Sequence, residues 1–388
     1  MVSFENTENA FKAKTNAELN RSYWLFKLIG NPLLVKMGAN FGPLALNVGF
    51  KGLIKSTIFK QFVGGETIHD CSLTIAELGK YNIGTILDYS VEGKESEVDF
   101  DNCKVETLET IKMAQNDKNI PFCVFKVTGL ARFELLEKVS AKKTLSDAEK
   151  QEWQRVKDRV SAICNSSFQA NQAIFIDAEE SWIQPAIDDL ANENMALYNK
   201  NKAIVYNTYQ FYRHDRLSYL TESIKTGKTN GYHIGAKLVR GAYMEKERKR
   251  AQEMGYQSPI QPSKEASDKD YDQALKLCVD NIDVIGLCAG THNEKSSTYL
   301  VELMQQKNIP PADKRIYFSQ LFGMSDHISY NLSLNNYNVA KYVPYGPVKE
   351  VLPYLIRRAQ ENTSVKGQTG RELNLIMKEK KRRSELKK

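Results

Sequence analysis

The sequence predicts an α/β chain: a distorted (β/α)8 barrel of the TIM type with an amino-terminal helical arm. Three observations carry this. From residue 84 onward, short runs rich in Val, Ile, Phe and Tyr alternate with longer helical patterns, in eight β-then-α units. A polar or charged residue stands at the carboxyl end of nearly every run, where a barrel of this kind carries its chemistry. No GxGxxG or GxxxxGK[ST] follows any strand, which speaks against the alternative, a doubly wound open sheet with a Rossmann or P-loop site. The expected division is a helical arm over 1–80, the barrel over 81–370, and a basic tail over 371–388.

In the arm, Phe11, Leu19, Trp24, Leu25 and Leu28 fall near one face of a first helix, which Asn31-Pro32 ends. A second apolar segment runs over 33–50, and 67–81 reads as a helix stopped at Asn82. The strands are GTILDYSVE, PFCVFKVTG, NQAIFIDAEE, AIVYNTYQ, GYHIGAKLVRG, DVIGLCAG, RIYFSQ and VAKYVPY. A helix over 106–115 follows the first, and a long helical region with a charged hairpin at KKTLSDAEKQEW follows the second. After the last strand, Gly346 and Pro347 are expected to start a helix, with a kink or restart at Pro353.

Composition is ordinary for a globular chain. The formal net charge of +7 is concentrated in KEKKRRSELKK at 378–388, so the body is nearly neutral and nucleic-acid binding is not expected. That run reads as a solvated, frayed tail or as a patch for anionic lipid. Cys71, Cys103, Cys123, Cys164, Cys278 and Cys288 form no CxxC pair and have no His at ligand spacing, which implies a reducing compartment and no metal site. The amino terminus is polar and acidic, unlike a signal peptide, and the most apolar window, 41–54, is too short to span a bilayer.

The strand ends supply the candidate chemistry: Asp88 and Glu92, Lys126, Asp177, Gln210, Lys237 and Arg240, Thr291 and His292, Gln320, and Tyr342. Past Pro353, Tyr354, Arg357, Arg358 and Glu361 are spaced three and four apart and share one helical face. Two guanidiniums and a phenol suit a small carboxylate. A solvated face in which Glu361 neutralises an arginine is the plainer alternative. Lys126 alone fits a Schiff-base enzyme or a simple ion pair with Asp177.

YVPYGPVKEVLPYLIRRAQEN at 342–362 resembles the carboxy-terminal signature of the proline dehydrogenases. GAKLVRGAYMEKER at 235–248 resembles their flavin-binding strand and turn. FKVTGL, FIDAEESW, YNTYQFY and AGTHN match in the same order, so the resemblance covers roughly residues 80–365. It implies FAD, bound without a covalent link, and oxidation of L-proline to 1-pyrroline-5-carboxylate with electrons passed to a membrane quinone. It assigns Lys126, Arg357 and Arg358 to the substrate carboxylate, with Tyr342 and Tyr354 beside the substrate. Asp177 holds Lys126, and Lys237 faces the flavin at a position where bacterial bifunctional members mostly carry Arg. Ala178, Gln210, Arg240, Gly241, Ala242, Tyr243, Thr291, His292, Asn293 and Glu361 are its implied cofactor contacts. Glu92 is the implied gate, paired with Arg357 when no substrate is bound. The resemblance further implies a one-function enzyme, cytoplasmic, visiting the inner face of the membrane through the basic tail or the segment 33–54. Hydroxyproline dehydrogenase is the competing enzyme, against which the bulk of Tyr342 speaks. A non-catalytic barrel that acts as a binding protein is the competing class.

Overall fold

The computed structural model describes residues 2–31, 33, 35, 36, 51–90, 95–364 and 368–386, and the side chains within them other than 360–369. Glu92 and most of the apolar segment 33–50 lie outside the described residues. Eight strands close in sequential order into a barrel: β1 (Ile83–Tyr89), β2 (Phe122–Lys126), β3 (Ala173–Asp177), β4 (Val205–Gln210), β5 (Ile234–Val239), β6 (Ile285–Gly290), β7 (Ile316–Leu321) and β8 (Val339–Tyr345). Neighbouring strands run parallel and helices alternate with them, as the sequence predicts. Parallel strands are covered on both faces, which is why they read as apolar runs; β4 is buried along its whole length. The strands end earlier than their sequence runs. VTG after Lys126 is a 3-10 turn, and AEE after Asp177 and RG after Val239 lie in loops.

The chain divides into two compact units, Met1–Glu92 with Gln320–Lys388, and Gly93–Ser319. In the second, an aromatic group fills the interior beneath the strand ends. Phe122 stacks on Phe175 with centroids 4.4 Å apart, and Tyr206 stands edge-on to both. Gly235 and Gly286 make room for Tyr206, because a Cβ on either would meet that ring at 2.6 Å and its hydroxyl at 2.3 Å respectively. The helices of this unit begin where the sequence supplies acceptors. Ser146 and Glu149 form a capping box at Asp147–Gln169, and Ser263 and Asn293 cap Lys264–Asp280 and Glu294–Gln306.

In the first unit, Thr15 and Glu18 form a capping box that starts the helix Asn16–Ile29. Its buried face is Leu19, Ser22, Leu25, Phe26 and Ile29, whereas Trp24 and Leu28 are 58% and 52% exposed. The predicted face was therefore rotated: Phe11 belongs to a separate turn after the short helix Thr7–Ala10, so it does not share the helical phase of Leu19 and Leu25. Asn82, with φ 54°, takes the left-handed conformation just before β1. After β8, Gly346 at φ 145° lets the backbone turn, and its N–H donates to Gly65 O at 3.1 Å. Pro347 opens only a turn, and the helix proper is Leu352–Ser364. Pro353 is thus its second residue, where a missing N–H costs little.

The run expected as a frayed tail is instead part of a helix, Gln368–Glu385. Its Leu375 and Ile376 are buried with Phe11, Phe26 and Leu355, and Glu379 is fully buried. Arg382 and Arg383 bond Glu379, and Arg383 also donates to Phe11 O and Lys14 O, both at 2.8 Å. Basic residues that composition reads as solvated here satisfy a buried acid and two carbonyls. Among the described residues no helix is long and apolar enough to cross a membrane.

Candidate active site

In the unit Gly93–Ser319 the predicted polar residues gather at the carboxyl ends of β2 to β6. Lys126 and Asp177 are register partners at the last positions of β2 and β3. The Lys237 Nζ, from β5, donates to Asp177 Oδ1 at 2.5 Å, and Thr208 Oγ1, from β4, donates to the same oxygen at 3.3 Å. Both members of the ion pair are buried. Lys237 Nζ also lies 5.1 Å from the centroid of Phe175, so the aromatic group forms a floor under the charge. Two charges taken out of water in this way are stable only as a hydrogen-bonded pair. The carboxylate expected to hold Lys126 thus has a strong bond to Lys237.

The next residues are placed by loop geometry. Arg240, one position past β5, donates to Thr291 Oγ1 at 2.5 Å and Ser296 Oγ at 3.2 Å, and forms an ion pair with Asp268. Its guanidinium lies 3.9 Å from the Tyr271 ring centroid. Thr291 Oγ1 accepts from Asn293 N, and Asn293 caps the following helix, so the turn 291–293 is fixed on both sides; His292 is half-buried within it. Gly241 takes φ 87°, with nothing within 4 Å of where a Cβ would stand. Ala242 is exposed and Tyr243, like Ala178 after β3, is half-buried. Gln210, buried at the end of β4, donates to Glu179 O at 2.7 Å and to Tyr212 Oη at 2.9 Å.

Glu179 is a residue the sequence reading missed. Its Oε1 accepts from Thr128 N at 3.0 Å and its Oε2 from Thr128 Oγ1 at 2.5 Å. Burial pushes its carboxyl up to about 7 against the opposing pull of Lys126 and Thr128. Its N–H donates to Gln184 Oε1, and Gln184 in turn bonds Asp188. Asp188 also accepts from Asn207 and, bidentately, from Arg216. The doubled acid in FIDAEESW was the available signal, but strand periodicity stops at Asp177 and does not say which acid turns inward.

In the unit Met1–Glu92 with Gln320–Lys388, Tyr342 is buried on β8 and its carbonyl accepts from Phe322 N. Tyr354 is buried, Arg357 and Arg358 are half-buried, and the Arg358 guanidinium lies 5.2 Å from the Tyr354 ring centroid. One helix therefore does bring the phenol and guanidinium together. The side chain of Glu361 lies outside the described residues. A second cluster was not foreseen: Lys341, fully buried on β8, and Lys14 bond the two oxygens of Asp326 at 2.9 and 2.7 Å.

The donor set of the first cluster fits a flavin dinucleotide. An ammonium, a guanidinium, a carboxamide and a hydroxyl stand at successive strand ends beside an open glycine turn. That set suits a ring with carbonyl oxygens and an anionic phosphate tail. Among the described residues no group of His, Cys, Asp and Glu could hold a metal ion.

A family model described as Proline dehydrogenase matches residues 71–371. "Proline dehydrogenase 1, mitochondrial" of Dictyostelium discoideum is 32% identical over 426 residues, 97% of this chain and 74% of that protein. "Hydroxyproline dehydrogenase" of Xenopus laevis is 31% identical over 412 residues, 96% of this chain and 88% of that protein. Among solved structures, proline utilization A (PutA) from Bdellovibrio bacteriovorus, inactivated by N-propargylglycine, aligns with a TM-score of 0.72 at 20% identity over 94% of this chain. This chain spans 37% of that one, and at this identity the likeness is one of fold. Sequence relatives that span most of its length and a family match over most of its residues lead to one conclusion: the chain belongs to the proline dehydrogenase family.

Proposed function

We propose that the chain oxidises L-proline to 1-pyrroline-5-carboxylate with FAD as hydride acceptor and a quinone as the eventual oxidant. The observation that carries this reading is the buried Lys237–Asp177 pair set on an aromatic floor, flanked by Gln210, Arg240 and Thr291. When bound, FAD would supply the electron-accepting ring. Lys237, Gln210, Arg240, Thr291 and His292 would hold it by side chain, and the backbone near Ala178, Gly241, Ala242, Tyr243 and Asn293 would line it. Asp177 fixes the Lys237 ammonium, so the charge facing the ring is oriented before substrate arrives.

The proposed substrate contacts are Lys126 in one unit and Arg357, Arg358, Tyr342 and Tyr354 in the other, the cations suited to the carboxylate and the phenols to the ring of proline. Proline in water is a zwitterion, and its nitrogen must lose a proton before its lone pair can form the C=N bond as hydride leaves C5. Desolvation among buried aromatic rings favours that neutral amine, while the cations keep the carboxylate ionised. A lysine at 237 has no planar fork, so it contacts the ring as a point charge.

Hydroxyproline dehydrogenase is a second reading, favoured by the Xenopus laevis relative. The buried Tyr342 opposes it, since its ring would crowd a 4-hydroxyl. Both readings are tested by turnover with a soluble quinone analogue. L-Proline should give a pyrroline product that condenses with o-aminobenzaldehyde, trans-4-hydroxy-L-proline should give far less, and NAD⁺ should not serve as oxidant. Equal turnover of the two substrates would favour the second reading, and turnover of neither would refute both.

A further inference from the structure

Resting on the reading just given, in which Lys126 takes the substrate carboxylate, we propose that Glu179 is the positioning residue for Lys126. Its carboxylate clamps the turn that follows the lysine and offsets the lysine's charge. The turn is Val127–Gly129, a single 3-10 turn that begins immediately after Lys126 leaves β2. It is closed by Leu130 N–H donating to Val127 O and seated by the buried Val127, and its polar tie to the neighbouring strand end is Thr128, whose N–H and hydroxyl both donate to the two oxygens of Glu179. This is a two-point attachment to a side chain that is itself 4% exposed. Glu179 is fixed in turn, because its N–H donates to Gln184 and its carbonyl accepts from Gln210. One residue therefore ties the lysine's turn to the carboxamide that the proposed function places at the cofactor.

Charge points the same way. The groups that act electrostatically on Glu179 are Lys126 on β2, Thr128 in its turn and Glu180 beside it, and Glu180 is already paired with Lys246. Lys126 is the cation whose field opposes the rise of the Glu179 carboxyl. When Glu179 is ionised it offsets part of the field that Lys126 presents to a bound carboxylate. When it is protonated the clamp survives, since one oxygen still accepts from the Thr128 N–H while the new O–H donates to the Thr128 hydroxyl. The carboxyl that burial raises to about 7 places this change inside the accessible pH range. The sign follows: as pH falls through about 7, the opposing charge of Glu179 is removed and Lys126 presents a stronger field to the substrate carboxylate.

The test compares two substitutions in the holoenzyme. Glu179→Ala removes clamp and charge together, so KM for L-proline should rise about tenfold with kcat changed less than about threefold. Glu179→Gln keeps both hydrogen bonds and removes only the charge. Its KM should equal the low-pH value of the native enzyme and stay flat between pH 6 and 8, while native KM rises across that range. Thr128→Val removes the hydroxyl bond and leaves the N–H bond and the charge, so KM should rise in the same direction by a smaller factor, and the double variant should be no worse than Glu179→Ala. If Glu179→Ala does not fold, Thr128→Val and the pH profile of Glu179→Gln carry the test. An unchanged KM in Thr128→Val, or a Gln profile that parallels the native one, would overturn the proposal. A native enzyme that L-proline does not reduce would instead overturn the functional reading, and that outcome needs no variant to recognise.

Discussion

Lys237 has a neighbour that its linear surroundings conceal. Cys288 on β6 is its register partner, so a thiol does stand beside the strand that resembles the flavin site. Burial pushes that thiol up to about 12, with Lys237 pulling only weakly the other way, so it stays protonated and a poor nucleophile. The flavin is thus expected to be released intact by acid precipitation; flavin retained in the pellet would point to a link through this sulfur. The arginine pair yields a second outcome at the same scale. Arg357→Ala or Arg358→Ala removes a charge-assisted hydrogen bond from a desolvated carboxylate, worth roughly 1.5–3 kcal/mol, or about 10- to 100-fold in proline affinity. Flavin content should not change, and steady-state KM with absorbance at the flavin band would check both.

Among the elements, the carboxy-terminal helix changes most between sequence and structure. Deleting 378–388 removes Glu379 together with the Arg383 bonds to Phe11 O and Lys14 O. The expected cost is about 2–4 kcal/mol, read as a lower urea midpoint, and a truncated chain of unchanged stability would restore the solvated-tail reading. The eight strands were legible because parallel strands are buried on both faces and announce themselves as apolar runs closed by a polar residue. The capping boxes were legible in principle too, as Thr15-Glu18 and Ser146-Glu149. Three things were not. The phase of the helix at Leu19 is set by a turn at Phe11 that no periodicity marks. Glu179 lies two residues past the end of the strand, in a doubled acid of which either member could face inward. Lys341 is a charge in the middle of VAKYVPY, and only the arrival of Asp326 and Lys14, distant in sequence, explains it.

At the scale of the whole molecule, that last cluster makes stability depend on pH. Burial raises the Asp326 carboxyl, but Lys14 and Lys341 outweigh burial and hold it well below the usual carboxylate range. A carboxyl depressed in the folded state adds stability that is fully present above its unfolded value near 4 and lost as pH falls toward the folded one. Asp326→Asn should cost about 3–5 kcal/mol at pH 7, because two lysines lose their counter-charge, and the gap from the native chain should begin to narrow as pH falls below about 4. Urea midpoints at pH 7 and pH 3 would show it, and a gap that persisted unchanged at pH 3 would contradict it. The central claim, a barrel whose strand ends position a flavin to oxidise proline, has a more direct test. The purified protein, free of oxygen, is titrated with L-proline while its visible spectrum is recorded. The account predicts a yellow protein whose flavin band bleaches in proportion to added L-proline and returns on adding a quinone analogue. A colourless protein that binds no FAD, or a flavin band that excess L-proline leaves unchanged, would contradict it.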